Sequence, residues 1–181
     1  MPMNEDLERF DQYPYSKLLD QQKRELVFAE AKNIGENNAS RIYNEFGSRD
    51  PFYIAHQEQV SITFDVHDDV NADYVKFAEY HAKKKNIVLN EKSIEIIAKS
   101  YDKGVVENLI LTHELFHHFE VSRWGLTSKK FKVPVVYFGL FRIGRPVLAA
   151  SEIAADAFSQ TLNNTAISAA NLENAYFSNI D

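Results

Sequence analysis

The residues at 111–118 read L-T-H-E-L-F-H-H, and they restrict the fold of this chain more than any other segment. Apolar positions around them recur at helical spacing, so we predict a helix over residues 105–121. Side chains four residues apart lie one turn above each other on a helix, so the imidazoles of His113 and His117 can converge on one ion. A fold that uses this pair as a metal site must bring a third donor against the helix.

The third donor is expected from a second helix, predicted over residues 147–162 with Pro146 in its first turn. This segment contains S-E-I-A-A-D-A-F at 151–158. Catalytic zinc sites use three protein ligands and leave the fourth position to water, and Glu152 can complete such a set. Asp156 lies on the same face and can accept the outward N–H of a ligating histidine. The alternative is an exposed acidic pair on an ordinary helix.

Glu114 is the candidate catalytic residue. It projects about 100° around the predicted helix from His113, beside the metal position. A carboxylate there can take the proton of a water molecule, which is the general-base role in hydrolysis. His118 lies on a different face and is predicted to be a core or supporting residue. The alternative for the whole motif is a buried helix whose histidines are each satisfied by an ordinary hydrogen-bonding partner.

Composition narrows the chemistry and the location. The chain has no cysteine, which excludes disulfides and thiolate zinc sites and leaves histidine and carboxylates as metal ligands. Residues 1–6 are acidic where a signal peptide is basic and then apolar, so we expect a cytoplasmic protein. The longest apolar run, 133–141, is far shorter than the ~20 residues that span a membrane, so we expect no membrane association. The net charge of −6 disfavours direct nucleic-acid binding.

The remaining pattern predicts an α+β fold in one domain, 1–181, in which 1–15 form a loosely ordered amino-terminal segment. Further helices are predicted over 16–32, over 38–46 with Gly47 as its end, over 50–56, and over 94–101 with Gly104 as its end. Strands are predicted over 60–66, 74–82 and 86–90, with a loop at Asp68, Asp69 and Asn71. The spacing within 74–82 also suits a helix, and the strand is the favoured interpretation. Asn90 is expected to cap the helix that follows it. The expected sheet is small and antiparallel, with about three strands packed against several helices.

The segment between the two motif helices is basic. Residues 121–151 contain no Asp or Glu, and their basic residues are Arg123, Lys129, Lys130, Lys132, Arg142 and Arg145. One interpretation is a substrate-binding wall, in which Val135 or Val136 pairs with an extended peptide. In that case Tyr137, Arg142 or Arg145 could stabilise an oxyanion. The other interpretation is a basic loop that offsets an acidic protein.

The two motifs together resemble the ImmA/IrrE family of gluzincin metallopeptidases. The amino-terminal helix, the D-P-F-Y-I-A segment and the strands V-S-I-T-F and N-I-V-L-N follow that family's order, so the resemblance covers most of the chain. It implies a zincin-like fold, zinc held by His113, His117 and Glu152, Glu114 as the base, and a cytoplasmic protease. Members of the family typically cut a transcriptional repressor, often in phage, mobile-element or stress-response circuits.

These patterns favour a zinc-dependent endopeptidase that cleaves a regulatory protein such as a transcriptional repressor. The alternative function is a zinc-stabilised, non-enzymatic protein-binding module that acts on a regulator by sequestration. A metal-free structural domain is the third interpretation. Retention of zinc separates the first two from the third, and cleavage separates the first from the second.

Overall fold

The computed structural model of the chain describes residue 10 and residues 12–66, 70–71, 74–137 and 141–180. Within them the fold is α+β. The helices are α1 (Gln21–Phe46), α2 (Pro51–Gln57), α3 (Glu91–Ile97), α4 (Lys103–Phe119), α5 (Ala149–Asn163) and α6 (Ala169–Asn179). The strands are β1 (Ser61–Asp65), β2 (Val70–Asn71), β3 (Tyr74–Val75), β4 (Ala78–His81), β5 (Asn86–Asn90), β6 (Lys132–Tyr137) and β7 (Phe141–Pro146).

The main sheet is mixed, and the prediction of an antiparallel sheet is wrong. Its strand order is β1-β5-β4, with β5 parallel to β1 and antiparallel to β4. After β1 the chain continues to β4, at the opposite edge of the sheet. The β4–β5 hairpin then returns it, so that β5 lies between β1 and β4. Ile87 and Leu89 of β5 are fully buried. The pairs β2 with β3 and β6 with β7 form separate two-stranded antiparallel ribbons.

Helix α1 is one continuous helix of 26 residues, not the two helices predicted over 16–32 and 38–46. Asp20 caps its start by accepting a hydrogen bond from the Lys23 N–H. Gly47 ends it in the left-handed conformation, with a φ of 63°, as predicted. The helix continues through Gly35 because α5 packs directly onto that position, where a side chain would have no room.

Other helix ends differ from the prediction for local reasons. Asn90 caps α3 through the Ser93 N–H at 2.8 Å, as predicted. Gly104 does not end a helix, since Asp102 caps α4 and places Gly104 in its first turn. Pro146 is the last residue of β7, so α5 begins at Ala149. Helix α6 was not predicted, although Ser168 opens it with a capping box.

The core falls into two clusters of buried apolar side chains. The larger lies between the main sheet, the carboxyl-terminal half of α1 and α2 to α6. The smaller lies between the amino-terminal half of α1, the start of β6 and the start of α5. The smaller cluster includes Phe10, which is buried, whereas residues 1–9 and 11 of the predicted loose segment lie outside the described residues. Asp68 and Asp69 of the predicted loop also lie outside them. Among the described helices, none has the length and hydropathy to cross a membrane.

Candidate metal centre

The two motif histidines occupy adjacent turns of α4 and point the same way. Their Nε2 atoms are 3.2 Å apart, and their ring centroids are 5.0 Å apart. Both side chains are about one-fifth exposed, so the site opens to solvent on one side. The helix carries them because its opposite face is apolar and buried, with Leu111, Leu115 and Phe119 fully inside the core.

Glu152 of α5 faces this pair. Its Oε2 lies 3.4 Å from His113 Nε2, and its Oε1 lies 3.6 Å from His117 Nε2. One donor atom from each of the three residues lies within 4.8 Å of the other two, so the three could hold a metal ion. The structure therefore brings together the three residues predicted as ligands.

Asp156 supports His113 from one turn further along α5. Its Oδ1 accepts a hydrogen bond from His113 Nδ1 at 2.8 Å. A proton on Nδ1 leaves the lone pair of Nε2 directed at the space shared with Glu152. This contact holds the orientation of the His113 ring and favours the tautomer with its proton on Nδ1.

His117 has an equivalent support that the sequence analysis missed, namely Glu120. This carboxylate is only 1% exposed, and its Oε2 lies 3.3 Å from His117 Nδ1. Its Oε1 accepts hydrogen bonds from the Thr127 N–H at 2.6 Å and from the Ser151 hydroxyl at 3.0 Å. Glu120 thus joins α4 to the turn at Thr127 and to the residue before Glu152. The spacing H-x-x-E was the available signal, because residues three apart share a helix face.

The carboxylates give the site a strong preference for positive charge. Burial disfavours the charged form of His117, but hydrogen bonds with Glu120 and Glu152 outweigh it and raise its pKa to about 9. Asp156 and Glu152 likewise outweigh burial and raise the pKa of His113 well above its usual value. The pKa of Glu152 is held well below its usual range by the two histidines despite its burial. A divalent cation held by these residues could supply the positive charge that protons on His113 and His117 otherwise supply.

Polar contacts set the register of α4 against α5. Ser159 donates a hydrogen bond to the carbonyl of Leu109 at 2.7 Å, and Asn163 donates one to the Thr112 hydroxyl at 3.0 Å. The pairs Leu109–Ser159, His113–Asp156 and His117–Glu152 run in opposite directions along the two helices. Sliding one helix past the other would break all of these contacts together, so the ligand geometry is tied to the helix pairing.

An aromatic cluster lies beneath the site. Phe116 packs against Trp124 and Phe158 with ring centroids 5.8 and 5.5 Å apart, and Phe119 stacks on Trp124 at 5.0 Å. Trp124 belongs to a π-helical turn, Glu120–Trp124, that extends α4. The cluster joins α4, this turn and α5 by burying large apolar surfaces close to the ligands.

His118 points away from the candidate metal ligands into a buried polar network. Its Nε2 lies 3.2 Å from Glu58 and its Nδ1 lies 2.8 Å from the Tyr80 hydroxyl. Burial lowers the pKa of His118 despite the neighbouring carboxylate. A neutral ring therefore donates from Nε2 to Glu58 and accepts from Tyr80. Arg123 pairs with Glu58 and Glu45, so this basic residue has a structural partner.

The remaining basic segment forms a hairpin. Val135 of β6 pairs with Ile143 of β7, so one edge of β6 is already occupied. The side chains of Tyr137 and Arg142 lie outside the described part, and the structure does not test them as oxyanion donors. The hairpin follows the turn Thr127–Lys130, which contacts α5 beside the candidate ligands.

Two cavities meet at Glu152 and Asp156. The larger, of about 830 Å³, lies between α1 and α5 and includes Phe28 and Lys32 in its lining. The smaller, of about 130 Å³, is lined by His113 and Glu114 in addition to the two acidic residues. Glu114 has no hydrogen bond or ion pair to another described residue, so its carboxylate is available to a molecule in this cavity.

In comparisons with known proteins, no protein-family model, curated protein or solved structure matches the chain.

Proposed function

We propose that this protein is a zinc-dependent endopeptidase that cleaves a regulatory protein in the cytoplasm. The observation that carries the proposal is the convergence of His113, His117 and Glu152 next to a cavity that Glu114 also lines. Donors on a tetrahedral zinc ion, with bonds of about 2.0–2.2 Å, lie roughly 3.3–3.5 Å from one another. The separation of 3.2 Å between the two Nε2 atoms is close to that figure. The carboxylate of Glu152 faces both rings, with Oε2 3.4 Å from His113 Nε2 and Oε1 3.6 Å from His117 Nε2.

The donor set also suits a catalytic role. Two imidazoles and one carboxylate are three protein ligands, the number that catalytic zinc sites use. When bound, the ion would polarise the scissile carbonyl and lower the pKa of a water molecule to about 7. Glu114 would accept the proton of the attacking water and pass it to the leaving amine. Asp156 and Glu120 would hold the two imidazoles in the ligating tautomer throughout.

A protein substrate is supported by the shape of the site and by the resemblance noted above. The two cavities both run along α5 and share Glu152 and Asp156 in their lining, which offers room for an extended chain beside the candidate centre. The family that the two motifs resemble typically cuts transcriptional repressors, so a repressor from a phage, mobile-element or stress-response circuit is the proposed partner. The zincin-like character of the fold belongs to the same proposal.

Metal content and hydrolysis test the proposal directly. The purified chain, loaded with zinc and desalted, should retain about one zinc per chain by elemental analysis and should hydrolyse members of a quenched peptide library. Chelation should abolish hydrolysis, and zinc should restore it. Glu152→Ala should weaken zinc binding by more than about 100-fold, since it removes a ligand and not merely a support. Glu95→Ala, an exposed change on α3, serves as the control. A loaded wild-type chain without stoichiometric zinc would overturn the proposal.

Glu120→Gln should weaken zinc binding by about 10- to 100-fold, because an amide holds the His117 ring less well than a carboxylate does. The measurement is a zinc competition titration with a fluorescent chelator. Thermal unfolding of the metal-free variant separates this effect from general destabilisation, since Gln can still accept from Thr127 and Ser151. Unchanged zinc affinity would show that Glu120 supports only the turn at Thr127.

A further inference from the structure

The smaller cavity has an apolar part that the proposed chemistry leaves unexplained. Its apolar lining includes Val75, Phe77, Leu109, Ile110, Ile167 and Leu172. Four of these, Val75, Leu109, Ile110 and Leu172, are less than 10% exposed, so their positions are fixed by the core. The lining comes from the residues around β3 and β4, from α4 and from α6. It therefore joins three parts of the fold in one pocket.

The position of this pocket relative to the candidate centre is set by the repeat of α4. Leu109 is four residues before His113, and Ile110 is four residues before Glu114. Each apolar residue therefore lies one turn, about 5.4 Å, below the ligand or base on the same face of the helix. A side chain attached next to a bond held at Glu114 would reach this depth.

The volume of the pocket fits one large side chain. About 130 Å³ is far more than a water molecule requires, and it is close to the ~150 Å³ cavity with apolar walls that binds benzene. The charged residues that line it are Glu114, Glu152, Asp156 and Glu173, apart from His113. All four are acidic, so an acidic substrate side chain would be repelled.

We infer that this cavity is the specificity pocket of the enzyme and that it receives a large apolar side chain, aromatic or branched aliphatic, next to the scissile bond. The inference rests on the proposed function and deepens it by naming the class of peptide that is cut. The pocket selects by removing an apolar group from water close to the reacting carbonyl. Cleavage sites in the natural substrate then carry such a residue on one side of the cut.

Hydroxamates that bind zinc test the pocket without requiring cleavage. The probes are acetohydroxamate and two peptide-like hydroxamates, one with a benzyl and one with an aminobutyl side chain in the position next to the zinc-binding group. Their dissociation constants are measured on the zinc-loaded wild-type protein by calorimetry. We expect the benzyl compound to bind at least about tenfold more tightly than either of the others, because its ring leaves water.

A variant that fills the pocket provides the second arm. Ala169 is a partly exposed lining residue in the first turn of α6, so Ala169→Phe narrows the pocket without replacing a core side chain. Ala78→Leu narrows it from β4 and replaces the first variant if that one fails to fold. In both variants the benzyl compound should bind no more than about twofold more tightly than the aminobutyl compound. The dissociation constant of acetohydroxamate should stay within about twofold of the wild-type value. The matched control is Ala166→Phe, an exposed position that lines only the larger cavity, and it should retain the preference.

The possible outcomes distinguish a failure of the specificity pocket from a failure of the metal site. Equal binding of the three hydroxamates by the zinc-loaded protein would show that the cavity is not a specificity pocket. The proposal of a zinc site would stand. Tighter binding of the aminobutyl compound would also overturn it, since the acidic groups would then determine specificity. A benzyl preference that survives both narrowing variants would place the binding of the ring elsewhere. Failure to retain zinc would overturn the proposed function, and this inference with it.

Discussion

Glu114→Gln is expected to retain zinc at wild-type affinity and to lower kcat by a factor of about 10²–10⁴, the range that general-base catalysis contributes. The glutamine keeps the size of the side chain but cannot accept a proton. Glu114 is not one of the three residues whose donor atoms converge, so its replacement leaves the candidate ligands in place. The measurements are zinc content by elemental analysis and single-turnover hydrolysis of the best library peptide.

The matched control is Glu107→Gln, seven residues earlier on the same helix. Positions seven apart lie on nearly the same face, so the two changes alter α4 in similar ways. Glu107 pairs with Lys103 at the start of the helix and is not among the residues that line the smaller cavity, so its variant should hydrolyse as the wild type does. Undiminished hydrolysis by zinc-loaded Glu114→Gln would remove Glu114 from the mechanism. A wild-type chain that binds zinc and a regulator but never cuts it would favour sequestration.

The candidate site was predictable to the extent that its geometry is local. The spacing of His113 and His117 is fixed by one helix, and Asp156 follows Glu152 by one turn of another. Their convergence needed only the further condition that two apolar helix faces pack together. Glu120 could also have been predicted, because residues three apart share a helix face and it follows His117 by three. Carboxylates at that spacing are common on exposed helix faces, however, so the spacing alone does not single it out.

The sheet order and the length of α1 depend on contacts distant in sequence. Parallel pairing of Ile62 with Ile87 is not encoded by either strand, because alternation within a strand gives its buried face and not its neighbour. Gly35 shows the same limit for helices. A glycine among polar residues favours a break by local propensity, yet the packing of α5 against it keeps α1 intact.

Gly35→Ala is expected to lower the free energy of unfolding by about 3 kcal/mol and to weaken zinc binding at the same time. An added Cβ would lie 2.1 Å from the carbonyl oxygen of Ala154 and 2.9 Å from the backbone nitrogen of Phe158. Backbone atoms cannot rotate away, so α5 must move as a unit. The gain of about 1 kcal/mol that alanine brings inside a helix is too small to compensate.

Because Glu152 lies two residues before Ala154, a displacement of α5 also moves the candidate ligand away from α4. Denaturant unfolding of the metal-free protein and a zinc competition titration would measure the two effects separately. Gly47→Ala is the matched control: its added Cβ meets nothing within 4 Å, and its φ of 63° costs only about 1 kcal/mol. That variant should keep wild-type zinc affinity, since Gly47 follows α1 at the end opposite Asp20 and contacts no ligand. If Gly35→Ala instead matched the wild type in both measurements, the close contact between α1 and α5 at Gly35 would determine neither the stability of the fold nor the position of Glu152.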